Sequence, residues 1–175
     1  HPDWIYTHYF SDQLQWQYDF LNSSYSGQSI SYNNEKWKVS MGVSQNYVKN
    51  PVYFAFSDIF NADTVFIAKR IIPQQHKSRI SVNQAYFSKQ FKVWKFHLRT
   101  NVYYQETSND IVLPLPEFIT YNSFFFESLM LRKAMYGQIG VDFYYHTGYY
   151  ANAYSPFLKQ FYLQDEKQVG NYPFF

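Results

Sequence analysis

The stretch Lys36-Trp37-Lys38-Val39-Ser40-Met41-Gly42-Val43-Ser44 alternates without a slip. Trp37, Val39, Met41 and Val43 take one phase, and Lys36, Lys38, Ser40, Gly42 and Ser44 take the other. Successive side chains of an extended chain point to opposite sides, so this stretch is a strand with one apolar and one polar face. The same period recurs upstream, where Leu14, Trp16, Tyr18 and Phe20 stand against Gln13, Gln15, Gln17 and Asp19. It recurs downstream, where Met135, Ile139, Val141, Phe143 and Tyr145 alternate with Gln138, Gly140, Asp142 and His146. A helix would return its apolar residues every ~3.6 positions, so the pattern predicts an all-β chain.

Working outward from that stretch, strands are expected near 3–10, 13–22, 28–32, 35–47, 52–60, 64–72, 78–87, 93–106, 117–130 and 135–147. Tight turns are expected at Ser11-Asp12, Asn33-Asn34, Asn61-Ala62-Asp63, 88–92 and 131–134. Asn-Asn can adopt the left-handed conformations that a two-residue hairpin turn requires. The other connections, 23–27, 48–51, 73–77, 107–116 and 148–160, include longer ones rich in Ser, Gly, Pro, Gln and Asn. Tight turns on one side and longer loops on the other are the arrangement of an up-and-down β-barrel in an outer membrane.

Composition points the same way. Among 175 residues, 23% are aromatic, with 19 Tyr and 18 Phe, and only 16% are charged, against ~25% in ordinary globular domains. Mean hydropathy is nevertheless negative, at −0.45, and no apolar run approaches the ~18 residues of a transmembrane helix. Strands that are apolar outside and polar inside average to this value. A soluble β-sandwich, such as a glycan-binding one, also has a polar outer face, but its apolar face would not be so aromatic. Tyr and Trp favour the membrane–water interface, where the ring is buried and the polar atom stays wet. The chain has no cysteine, hence no disulfide and no thiolate metal site. A net charge of +2 is too small to indicate a nucleic-acid partner. His1-Pro2-Asp3 is neither a basic leader nor the start of an apolar one, so a mature form or a start inside a longer protein is expected.

The half from Lys89 to Phe175 resembles the putative porin family of Bacteroidota-type outer membranes. The resemblance is carried by Phe91-Lys92 through Lys95-Phe96-His97, Val102-Tyr103-Tyr104-Gln105, Val112-Leu113-Pro114-Leu115-Pro116 and Gln138-Ile139-Gly140-Val141-Asp142. It continues through Tyr149-Tyr150-Ala151, Tyr154-Ser155-Pro156, Gln160-Phe161-Tyr162 and Val169-Gly170-Asn171-Tyr172-Pro173-Phe174. It implies a transmembrane antiparallel up-and-down barrel, with about ten strands in residues 1–175 as one segment of a larger barrel. It also implies the outer membrane of a Gram-negative bacterium, contact with membrane lipid and lipopolysaccharide, and association with other outer-membrane proteins. The function implied is passive diffusion of small hydrophilic solutes, without catalysis or cofactor. A plugged barrel serving as a structural subunit is the alternative.

The residue pattern offers little other chemistry. His1, His8, His76, His97 and His146 show no metal-ligand spacing, and Gly42-Val43-Ser44-Gln45-Asn46 lacks the closing glycine of a nucleophile elbow. Asn109-Asp110 and Asp165-Glu166 read as solvated loop charges. Lys89 to His97 alternates basic and aromatic residues, as a hairpin end at a membrane interface does: Trp and Phe anchor while Lys faces headgroups. The candidate pore-lining residues are Lys36, Lys38, Arg79, His97, Arg99, Asn101, Gln138 and Asp142. Their cationic majority suggests mild anion preference. The Leu113-Pro114-Leu115-Pro116 loop is expected to fold inward and narrow the pore.

Overall fold

The computed structural model describes residues 3–10, 15–60, 66–130 and 135–175. A helical turn, α1 (Trp4–Thr7), precedes β1 (His8–Phe10), β2 (Gln15–Gln17), β3 (Ser24–Asn34), β4 (Val39–Lys49), β5 (Val52–Phe60) and β6 (Phe66–Gln75). Then come β7 (Arg79–Val93), β8 (Phe96–Thr107), β9 (Phe118–Met130), β10 (Met135–His146), β11 (Ala153–Ser155) and β12 (Gln160–Leu163). The fold is all-β.

Six strands form one antiparallel sheet in the order β10-β9-β8-β7-β4-β3. Each is 11 to 15 residues long, enough for a tilted strand to cross a bilayer, which takes ~9–11. The strand ends are staggered in one direction. At the turn end, β7 runs four residues past the position paired with the start of β4, and β9 runs four past the position paired with the start of β8. At the other end β8 stops opposite Val82 and β9 starts opposite Tyr104, each three residues short of its neighbour's end. Such a stagger accompanies the strand tilt of a barrel wall.

The sheet is open. β3 has no partner on its outer edge among the described residues. Among the described residues the outer edge of β10 is met only at its loop end, where Phe174 and Tyr144 exchange backbone hydrogen bonds and the Asn171 N–H donates to the carbonyl of His146.

β5 and β6 leave the sheet as a hairpin and build a second, four-stranded sheet in the order β11-β12-β5-β6. Its β12–β5 pairing is parallel, matching Tyr162 with Phe54 and Leu163 with Ala55. This unit holds a true hydrophobic core of Trp16, Phe54 and Leu158, flanked by Ile5, Tyr6, Tyr9, Ile71 and Tyr162. Trp16 spends its one donor on the carbonyl of Ile5 (3.0 Å), which lets the indole be buried at little cost. The short links between β3 and β4 and between β7 and β8 lie at one end of the large sheet. The β5–β6 excursion, residues 108–117 and residues 147–175 lie at the other.

Several expectations need correction. Among the described residues only six strands belong to the large sheet, not ten; that it does not close fits the expectation of one segment of a larger barrel. The described residues of segments 3–10 and 13–22 contribute one helical turn and two three-residue strands, with Trp16 drawn into the small core. Residues 23–27 are not a connection: β3 spans all of Ser24–Asn34, far more than 28–32. β4 starts at Val39, so Lys36 and Lys38 are turn residues, and Lys38 takes a positive φ of 49°. β7 continues to Val93, which moves its turn from 88–92 to Trp94-Lys95. The expected turns at Ser11-Asp12, Asn61-Ala62-Asp63 and 131–134 lie outside the described residues.

Candidate functional site: the polar face of the large sheet

Strand register sorts the large sheet into two faces. The first carries Ile30, Met41, Val43, Phe87, Phe91, Leu98, Phe124, Ile139 and Val141, aligned across the strands. All of these are exposed; Ile30 is 78% and Ile139 74% accessible. At the loop end this face turns polar in a row of Gln28, Gln45, Asn83 and Glu106, in which Gln28 donates to Gln45 (3.4 Å) and Gln45 to Asn83 (3.0 Å). The exposed large apolar side chains of the opposite face are tyrosines: Tyr25, Tyr103, Tyr121, Tyr136 and Tyr144. Leu129 is the one aliphatic exception among the described residues.

Between those tyrosines the second face is hydrogen-bonded sideways. Ser44 donates to Gln84 (3.2 Å), Gln84 to Gln105 (3.0 Å), and Ser88 to Asn101 (2.8 Å). Gln105 ends its row by donating to the carbonyl of Pro116 (2.8 Å), which draws the end of the 108–117 loop over this face. Two glycines create the space that rings occupy. A Cβ on Gly42 would meet the Tyr86 ring at 2.6 Å, and one on Gly140 would meet the Cβ of Phe125 at 2.5 Å.

Toward the turn end the face is charged. Glu127 Oε1 stands 3.1 Å from Lys92 Nζ and 2.6 Å from Nε2 of the buried His97. Tyr136 donates its hydroxyl to Glu127 Oε2. The His97 ring stacks on Phe125 (4.7 Å, 4° between planes), and the Arg99 guanidinium lies over the Phe125 ring at 5.0 Å. Ser123 donates to Asp142. A groove of about 520 Å³ runs between β8, β9 and β10, lined by Arg99, Tyr121, Ser123, Phe125, Gln138 and Asp142 among others.

Of the residues singled out from sequence, His97, Arg99, Asn101, Gln138 and Asp142 share this face. Lys36 and Lys38 do not; they sit in the turn before β4. Arg79 is in register with Lys49 on the opposite phase, with its guanidinium 4.9 Å over the Tyr47 ring. Among the described residues of the large sheet, the formal charges on this face are therefore Lys92 and Arg99 against Glu127 and Asp142, without the cationic majority expected from sequence. Sequence reasoning missed Gln84, Gln105, Glu127, Lys92 and the tyrosines. Extending the phase of His97, Arg99 and Asn101 by two residues at a time would have found Tyr103 and Gln105. Glu127 was hidden by the Phe124-Phe125-Phe126 run, which erases the alternation of β9. Among the described residues, no three His, Asp or Glu side chains cluster as metal ligands would, and no helix is long and apolar enough to cross a membrane.

The large sheet is thus an open, staggered antiparallel wall with exposed apolar side chains on one face and hydrogen-bonded polar side chains on the other. Comparison with protein families is specific: the family described as "Putative porin" matches residues 1–175, and the chain belongs to it. The match extends over the whole sequence, twice the stretch in which the resemblance is visible by eye. No curated protein matches the chain, and no solved structure does.

Proposed function

We propose that the large sheet is part of the wall of a transmembrane β-barrel in a Gram-negative outer membrane, and that its polar face lines a passage for small hydrophilic solutes. The observation that carries this is the placement of the exposed aliphatic and phenylalanine side chains on one face and of the hydrogen-bonded polar rows on the other. In water that first face would leave a contiguous apolar patch far beyond what a soluble surface tolerates; against lipid it is the stable arrangement. Trp37 and Trp94, exposed at the described turns beside Lys38 and Lys95, suit the headgroup region. The open edges of β3 and β10 are prohibitive in lipid, and even-numbered barrels begin at ~8 strands, so further strands complete the wall. Transport is passive and needs no catalytic group or cofactor; selectivity comes from width and charge. Lipid, lipopolysaccharide, solutes and neighbouring outer-membrane proteins are its partners.

The test is an SDS gel of outer-membrane material with and without boiling, followed by conductance of the folded form in a planar bilayer. A heat-dependent shift with ion conductance supports the reading. No shift, with recovery free of detergent, contradicts it. The second reading, a plugged structural barrel, has one observation in its favour: Ile80, Val82, His97 and Phe125 are buried on the polar face and the 108–117 loop leans over it. It predicts the heat shift without conductance.

A further inference from the structure

We infer that the groove between β8, β9 and β10 is a binding site for neutral saccharides, a reading that rests on the polar face lining the solute passage. Three features converge there. First, the exposed rings on this face are tyrosines in adjacent rows. Tyr121 lines the groove and pairs across to Tyr144 on β10, and Tyr103 stands exposed further along β8. A pyranose presents an apolar C–H face that stacks on such rings, while the phenol hydroxyls accept and donate at the rim.

Second, donors and acceptors in the groove are left to spend. Arg99 is held by the face of Phe125 rather than by a carboxylate, and no ion pair joins it to Asp142 among the described residues. Its planar fork of N–H donors is therefore open on one wall. Asp142 engages Ser123 through Oδ1, leaving Oδ2 as an acceptor on the other wall. A fork of donors facing an acceptor is the complement of a vicinal diol.

Third, the charges of the face cancel, Lys92 and Arg99 against Glu127 and Asp142, so nothing in it favours a charged solute over a neutral hydroxylated one. The volume of about 520 Å³ lies within the ~300–1,000 Å³ of small-molecule sites. Gly140 keeps the floor open: a side chain there would collide with Phe125, whose ring positions Arg99.

The experiment measures planar-bilayer current of the folded full-length chain while a short neutral gluco-oligosaccharide is added. Saturation-transfer NMR of the same sugar is run in parallel, with the protein in a zwitterionic detergent free of sugar headgroups. The site predicts saturable current block and saturation transfer to the sugar ring protons. Tyr121→Ala should raise the half-saturating concentration about tenfold, the loss of ~1.4 kcal/mol of stacking, and Tyr121→Phe should preserve most of it. Conductance without block, and without saturation transfer, overturns the saccharide site and leaves the passage reading standing. No conductance combined with saturation transfer overturns the passage and keeps the site. Block by inorganic phosphate in place of the sugar also overturns it, since an anion site would then be the true occupant.

Discussion

The large sheet and the small loop-end unit are built from the same alternating sequence, yet they dispose of apolar side chains in opposite ways. In the small unit Phe54 is 1% and Trp16 5% accessible, gathered around Leu158. In the large sheet Val43, Val141 and Ile139 are 57%, 64% and 74% accessible. The small unit hides apolar surface from water by packing it on itself. Among the described residues the large sheet has no second layer on its apolar side, and in the proposed wall that role falls to lipid. Alternation therefore states that a strand has two faces; what covers the apolar one is decided by topology.

The contrast can be broken at several points. Phe54→Ala should cost the small unit about 3–5 kcal/mol, as cavities at buried aromatic positions do. Hydrogen exchange across residues 52–75 should then accelerate while the heat-dependent gel shift survives; loss of the shift would mean that the two regions are one cooperative unit. Val43→Arg should destabilise the folded form by about 2–4 kcal/mol in urea titrations from bilayers, the depth-dependent cost of a cation on a lipid face. The same substitution on a water-exposed strand would fall within ~0.5 kcal/mol, and that smaller value would place the apolar face in water.

Two electrical measurements sharpen the polar side of the comparison. Deleting residues 109–116 should raise single-channel conductance, because Gln105 ties the end of that loop over the polar face; unchanged conductance would place the loop outside the passage. Smallest of all, the reversal potential in a salt gradient should lie near the value for no selectivity. Lys36, Lys38 and Arg79 are off the face, and Lys92 and Arg99 meet Glu127 and Asp142 in number. Strong anion preference would show that the turn lysines reach the lumen.

Individual strands were largely legible in the sequence, and their partners were not. β5 occupies the expected 52–60, and β9 and β10 fall within a residue of expectation, because aromatic and β-branched residues fill these stretches between clear breaks. Nothing in Val52–Phe60 announces that it pairs with β6 and β12 instead of β4, since the choice depends on residues a hundred positions away. A local sign of the departure does exist. Asn50-Pro51 marks a chain reversal, and Asn50 adopts a φ of 53° where β4 is left. Lys36 and Lys38 misled because the alternation of Lys36 to Ser44 begins before the strand does. On the polar face, Asn101 and Asp142 were readable from phase, whereas the role of Phe125, carrying His97 and Arg99, needed the third dimension.

The most direct test uses the absence of cysteine from the chain. Val43 and Ser44 are adjacent in β4 and point to opposite faces. Single cysteines at these two positions, labelled with a small fluorophore in the folded protein, are exposed to brominated lipid and to aqueous iodide. The label at position 43 should be quenched by lipid and not by iodide, and the label at position 44 by iodide and not by lipid. Quenching of both by iodide, with lipid ineffective, would contradict the membrane wall.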